Sequence, residues 1–342
     1  MKIDIFNHFL PIPYLDALNK YGGQHPVVRF ASTIRPLWDL DERLRMIEAW
    51  PDLQQVITLG LPAPELVVGP DMAPELARIA NDGMAAIRDL RPDKFPAFVA
   101  SLPMNNVPAA LEEMDRAVEK LGACGIQVLT SIGGKALDAA ELFPIFERIT
   151  NRYGLPIWLH PFKAPIFPDY PSEKESEFDI SLVLSWPHES SVAMARIVFS
   201  QMFDKLPNIR IITHHCGATI PYLAGRVGPL WDQGSREKNP RQQAIFDEMA
   251  AKGLRPIDYF KKFYGDTVLG GATTALRCGL DFFGPDKVVF ATDFPYGPEN
   301  GMAFLRENIR SVDEVGLNEE DRNGVYFGNA LKLMRRLHLQ QD

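Results

Sequence analysis

The chain has 342 residues, a net charge of −8 and no run of like charges, which argues against nucleic acid or an anionic membrane surface as its main partner. Its 3 cysteines are odd in number and widely spaced, so a reducing compartment and no disulfide framework are expected. No stretch is long and apolar enough to span a bilayer, and MKIDIFNHFLP lacks a charged-then-apolar export pattern, so a cytoplasmic location is expected.

A short apolar strand over residues 3–6 opens the chain, and alternation puts Phe6 and His8 on one side and Asn7 on the other. A long loop follows, with His25 placed to lie over a site. Helical spacing covers 39–50, a second strand 55–61 and an amphipathic helix 73–90. The third strand, 95–102, leads to a helix at 108–121 whose Pro108 suits a first turn. The fourth strand, 123–130, ends at a Gly133-Gly134 turn, and its helix spans 138–153. The fifth strand is 156–160. Residues 161–177, rich in proline, aromatic and charged residues, read as a loop at a site. A helix over 190–203, a sixth strand at 209–213, a helical segment to about Trp231 and a polar loop at 233–241 come next. The seventh strand is read at 263–269 and the eighth at 288–292, with closing helices at 301–311 and 328–337. Eight strands alternating with helices imply a (β/α)8 TIM barrel, one domain over 1–342. A doubly wound open sheet is the alternative, but no glycine-rich phosphate loop follows the first strand.

Three strands end in ionisable side chains: LPIWLHPF at His160, IRIITHH at His214 and His215, and KVVFATDFP at Asp293. The strand ends of a barrel open on one face, so His8, His160, His215 and Asp293 should converge. Imidazoles with a carboxylate are the ligand set of a catalytic divalent ion with open positions. His8, His160 and Asp293 are therefore expected to hold the ion, zinc first and manganese second. His215 is expected to act as acid/base. His214, its chain neighbour, should point to the opposite face, toward the helices. Cys216 reads as a small turn residue and His188 as the start of a helix. Trp186 and Phe294 fit either an aromatic pocket or the core.

The runs WDLDERLRMI (38–47), GIQVLTSIGGKALD (125–138), His160-Pro161, HHCGATIPYLAGR (214–226), ATDFP (291–295) and GNALKLM (328–334) together resemble the amidohydrolase-2 group. That group includes aminocarboxymuconate-semialdehyde and γ-resorcylate decarboxylases. The resemblance implies a metal-dependent barrel, often a homodimer, that decarboxylates or hydrolyses small aromatic or unsaturated acids. It implies metal-binding roles for His160 and Asp293, catalysis by His215, a substrate-carboxylate role for Arg43 and a site role for Arg226. The group opens with His-x-His or Glu-x-His. Here the first position is Phe6, which cannot ligate, leaving three protein ligands and room for water. The implied activity is loss of CO2 from a small aromatic or muconate-like carboxylic acid. Hydrolysis of a lactone, ester or amide by the same ligands, and a non-catalytic binding barrel, are the alternatives. A dimer contact is expected over 228–241.

Overall fold

The computed structural model describes residues 1–234 and 239–334. Parts of two expected features, the 233–241 loop and the helix ending at 337, and also His338, lie outside the described residues. Eight parallel strands are present among the described residues: β1 Lys2–His8, β2 Leu53–Thr58, β3 Ala100–Ser101, β4 Ile126–Leu129, β5 Ile157–His160, β6 Ile211–Thr213, β7 Tyr264–Asp266 and β8 Val288–Val289. β3 to β8 pair in sequence order in one parallel sheet, and β1 pairs with β2. Backbone bonds close the two gaps. Ile57 N donates to Ala97 O at 3.0 Å and Val99 N to Ile57 O at 2.8 Å, joining β2 to the approach to β3. Ile5 N donates to Phe290 O at 3.1 Å, Asp293 N to Phe6 O at 2.9 Å and His8 N to Phe294 O at 2.7 Å, joining β8 and its continuation to β1. The ring is a (β/α)8 barrel with no free edge.

Two apolar cores follow from the alternation of side chains along strands. One fills the barrel interior with Ile3, Ile5, Phe6, Val56, Val99, Trp158, Ile212 and Val289. Leu333 and Met334, at the end of the helix Asn329–Leu333, join it. Met334 Sδ lies 3.8 Å from Cys124 Sγ, just before β4, so this segment plugs the N-terminal end of the barrel. The other core lies between strands and helices, and includes Leu76 and Met84 of the helix Ala73–Leu90.

In β1 the alternation breaks. Ile3 and Ile5 share the interior with Phe6, and the β1–β2 register shifts between Asp4 and Asn7. Such an irregularity inverts the facing of everything beyond it. It lets Phe6 and His8 face inward above Ile3 and Ile5.

The first long loop is not a loop. It contains the helices Ile12–Gly22 and Pro26–Thr33. Pro13 and Pro26 lie in the first turns of these helices, where a proline gives up only an N–H that has no helical partner. His25 caps the second of these helices by accepting from Val27 N at 3.3 Å. The helix expected from residue 190 begins at Trp186 and continues to Phe199. Gly133-Gly134 turns a small hairpin of Ser131–Ile132 and Lys135–Ala136, as read.

Trp158 is fully buried, and its Nε1 donates to Ile5 O at 2.7 Å across the barrel. Trp158→Ala should cost about 3–5 kcal/mol in urea unfolding. A loss below about 1 kcal/mol would mean that the interior is not close-packed.

Candidate metal centre

Inward-facing side chains at the C-terminal ends of four strands build the site. Trp158 and Ile212 belong to the interior core, so His160 and His214, two residues further on, face the same way. Val289 and Ala291 set the same parity for Asp293. The Nε2 or Nδ1 donors of His8, His160 and His214 lie within 4.8 Å of one another, and those of His214, His215 and Asp293 form a second such group. Asp293 Oδ1 lies 3.0 Å from His8 Nε2 and 3.3 Å from His214 Nε2.

Hydrogen bonds behind the rings settle which nitrogen faces the centre. Thr58 Oγ1 donates to Asn7 O at 2.6 Å and so accepts from His8 Nδ1 at 2.9 Å. His160 Nδ1 donates to Pro161 O at 2.7 Å. His214 Nδ1 donates to Asp266 Oδ2 at 2.6 Å. Each ring thus spends its Nδ1 proton away from the centre and can present a lone pair on Nε2. This is how metal-ligating histidines are held. Lone pairs on imidazole nitrogen and carboxylate oxygen repel at these distances unless a proton or a cation lies between them. The donor set therefore fits a divalent ion.

The charges follow the same geometry. Burial pushes the His8 and His160 imidazoles below the usual range, for His8 against the pull of Asp293, and for His160 with His8 and His214 adding to the push. Burial also works against charge on His214, but the Asp266 and Asp293 carboxylates hold it up at about 9. Burial likewise opposes ionisation of Asp293, and is outweighed by the adjacent His214 and His8 rings, which hold it far below the carboxylate range.

His215 sits on a turn with four consecutive positive φ angles: His215 at 56°, Cys216 at 54°, Gly217 at 74° and Ala218 at 55°. Only one of these is a glycine, and strain of this kind gathers at functional sites. The turn brings the His215 ring within 4.1 Å of His214. Its Nδ1 has no hydrogen-bond partner among the described residues. Burial and the neighbouring His214 lower its pKa to about 4, so it is neutral near pH 7. Gly60 must be a glycine. Its φ is +66°, and a Cβ there would lie 2.3 Å from His8 Nδ1.

The structure brings together His8, His160, His215 and Asp293, and adds His214, which was expected to face the helices. The parity set by Ile212 points it inward instead. Trp186 is half-buried with its ring 5.8 Å from His160, so it borders the site. Arg43, by contrast, is fully buried beneath it. Its Nη1 donates to His8 O at 2.7 Å, its Nη2 to Asn7 Oδ1 at 2.5 Å and its Nε to Gln55 Oε1 at 3.0 Å. With its fork committed, it positions His8 and has no free edge for a substrate carboxylate. Phe294 is buried, with its ring centre 4.9 Å from the Arg43 guanidinium carbon, so it belongs to the core. Arg226 is exposed on the helix Ala224–Trp231. Two residues escaped the sequence reading. Asp266 ends β7, and the same rule of polar strand ends would have found it had the strand been cut there. Tyr296, its ring 5.4 Å from His8, follows Asp293 and donates to Leu61 O at 3.1 Å.

Comparison with known proteins shows the family of the chain. The family model described as Amidohydrolase matches residues 3–336. A 6-methylsalicylic acid decarboxylase of Penicillium expansum is 27% identical, over 98% of this chain and 97% of its own. A gamma-resorcylate decarboxylase of Rhizobium sp. is 29% identical, over 98% of each. The crystal structure of a dihydroxybenzoic acid decarboxylase from Polaromonas sp., with bound manganese and 2-nitroresorcinol, superposes with a TM-score of 0.73 at 25% identity, over 98% of this chain and 96% of its own.

If Arg43 is a positioning group, Arg43→Met should lower stability by about 3–5 kcal/mol in urea unfolding, as loss of one partner of a buried charge network does. A change within about 0.5 kcal/mol, usual for an exposed arginine, would return it to a binding role.

Proposed function

The chain belongs to the amidohydrolase family, and we propose that it is a metal-dependent decarboxylase that removes CO2 from a small aromatic carboxylic acid of the hydroxybenzoate type. The observation that carries this reading is the convergence of His8, His160, His214 and Asp293, with ring nitrogens turned toward one point. Relatives named for decarboxylation of methylsalicylic, resorcylic and dihydroxybenzoic acids support the substrate class.

His8, His160 and Asp293 are assigned as ligands, and the ion would supply Lewis-acid polarisation of the substrate's carboxylate and neighbouring hydroxyl. Zinc and manganese both suit these donors. The remaining work falls to the chain. Trp186 forms an aromatic wall beside His160. His215 Nδ1, neutral and unpartnered, takes the proton of the substrate hydroxyl and returns it to the ring carbon that bears the carboxylate. The bond from that carbon to the carboxylate then breaks, CO2 departs, and the electron pair restores the aromatic ring. Burial around the rings keeps bulk water from competing for that proton. We further read the enzyme as a cytoplasmic homodimer, consistent with three unpaired cysteines and with the absence, among the described residues, of a helix long and apolar enough to cross a membrane.

Chelator should abolish CO2 release from 2-hydroxybenzoates, and added zinc or manganese should restore it. His215→Ala should lower kcat about 10²- to 10⁴-fold while bound metal, measured by elemental analysis, stays at the wild-type level. Full turnover in EDTA by protein free of divalent ions would end this reading. Turnover of lactones or esters, with none of hydroxybenzoates, would move the enzyme to the hydrolases.

A further inference from the structure

We infer that His214 is itself a metal ligand, making the centre a three-histidine, one-carboxylate site, with Asp266 as the group that positions it. The inference rests on the metal dependence proposed above and changes what holds the ion.

Phe6 stands inside the ring of imidazoles. Its centroid is 4.0 Å from that of His214, 5.8 Å from His8 and 5.9 Å from His160. It offers no lone pair, so β1 contributes one donor through His8. The missing donor comes from β6. His214 stacks flat on Phe6, at an interplanar angle of 28°, and this contact fixes the plane of its ring. Asp266, fully buried, fixes the rotation within that plane by taking the Nδ1 proton at 2.6 Å. Nε2 is then aimed at Asp293 Oδ1, 3.3 Å away, while His8 Nε2 approaches the same oxygen at 3.0 Å. Ligand atoms about 2.0–2.1 Å from a common ion lie about 2.8–3.4 Å apart, from octahedral to tetrahedral angles. Both separations fall in that range. A role confined to an ion pair with Asp266 would not require Nε2 to share an oxygen with His8 Nε2 beside a third imidazole.

A consequence is selectivity. Three imidazoles and one carboxylate are richer in nitrogen than two and one. Nitrogen donors favour zinc, whereas oxygen-rich sets favour manganese and magnesium. The chain should therefore hold zinc in preference to manganese.

The test is X-ray absorption on wild-type protein loaded with one equivalent of zinc, together with zinc affinity by chelator competition for His214→Gln and Asp266→Asn, each checked for folding by circular dichroism. The expected result is scattering from three imidazoles, affinity lower by about 100-fold or more in His214→Gln, and lower by about 10- to 100-fold in Asp266→Asn. One bound zinc with two imidazoles, and unchanged affinity in His214→Gln, would overturn the role of His214 and leave metal dependence standing. Wild-type protein that binds no zinc or manganese would overturn both. His214→Gln, expected to show two imidazoles, separates His214 from the adjacent His215 as the source of the third, and His215→Ala, expected to keep three, does so if His214→Gln does not fold.

Discussion

The site depends on the seam where the barrel closes. Asp293 N donates to Phe6 O and His8 N to Phe294 O, at 2.9 Å and 2.7 Å. These two bonds bring the last strand's carboxylate beside the first strand's imidazole across 285 residues of chain. A sheet left open here would keep its hydrophobic faces covered by helices but would separate Asp293 from His8. Closure thus serves the chemistry as well as the backbone's need for partners. The register shift in β1 is the second half of the device. Without it, either Ile3 and Ile5 or Phe6 and His8 would face the helices.

Beneath the seam, a buried polar layer keeps His8 in place. Arg43 reaches His8 O and Asn7 Oδ1, Gln55 bridges Arg43 and Asp4, and Asp4 accepts from Thr292 N at 3.1 Å. The layer therefore spans β1, β2 and the segment after β8. Burying an arginine is expensive unless its donors are satisfied and a carboxylate lies near. Each donor group of Arg43 has an acceptor, and Asp4 supplies the opposing charge. Such a layer stabilises little beyond what apolar packing would, but it tolerates only one arrangement of the backbone it grips. Exactitude of this kind is what a metal ligand needs from its support.

The barrel and most of its strands were legible in the sequence because each strand is a short apolar run between turn signals. His8, His160, His215 and Asp293 were legible because ionisable groups at several strand ends must meet on one face. What escaped was parity. Nothing in IITHH says which of two adjacent histidines faces inward; the interior placement of Ile212 says it. Arg43 escaped for a related reason. At the start of a charged helix, LDERLRMI, it reads as a surface group free to meet a substrate, and only the approach of β1 and β2 reveals that it is enclosed. Asp266 was hidden by ending β7 three residues too late, which placed the carboxylate mid-strand instead of at its end.

Asp266 links the two halves of the chemistry. Its Oδ2 holds His214 Nδ1, and its Oδ1 accepts from Cys216 N and from Val268 N, both at 3.0 Å. The bond to Cys216 N anchors the strained turn that carries His215. Positive φ at non-glycine residues costs on the order of 1–3 kcal/mol each, so a run of them persists only under strong constraint. The constraint comes from Asp266 on one side and from Gly279 on the other, where a Cβ would fall 2.2 Å from Cys216 Sγ. One carboxylate therefore orients the His214 ring and also holds the backbone that carries His215. A small movement of Asp266 would turn His214 and displace His215 together. On this reading the adjacent histidines are a single element with two faces, one toward the ion and one toward the proton to be moved.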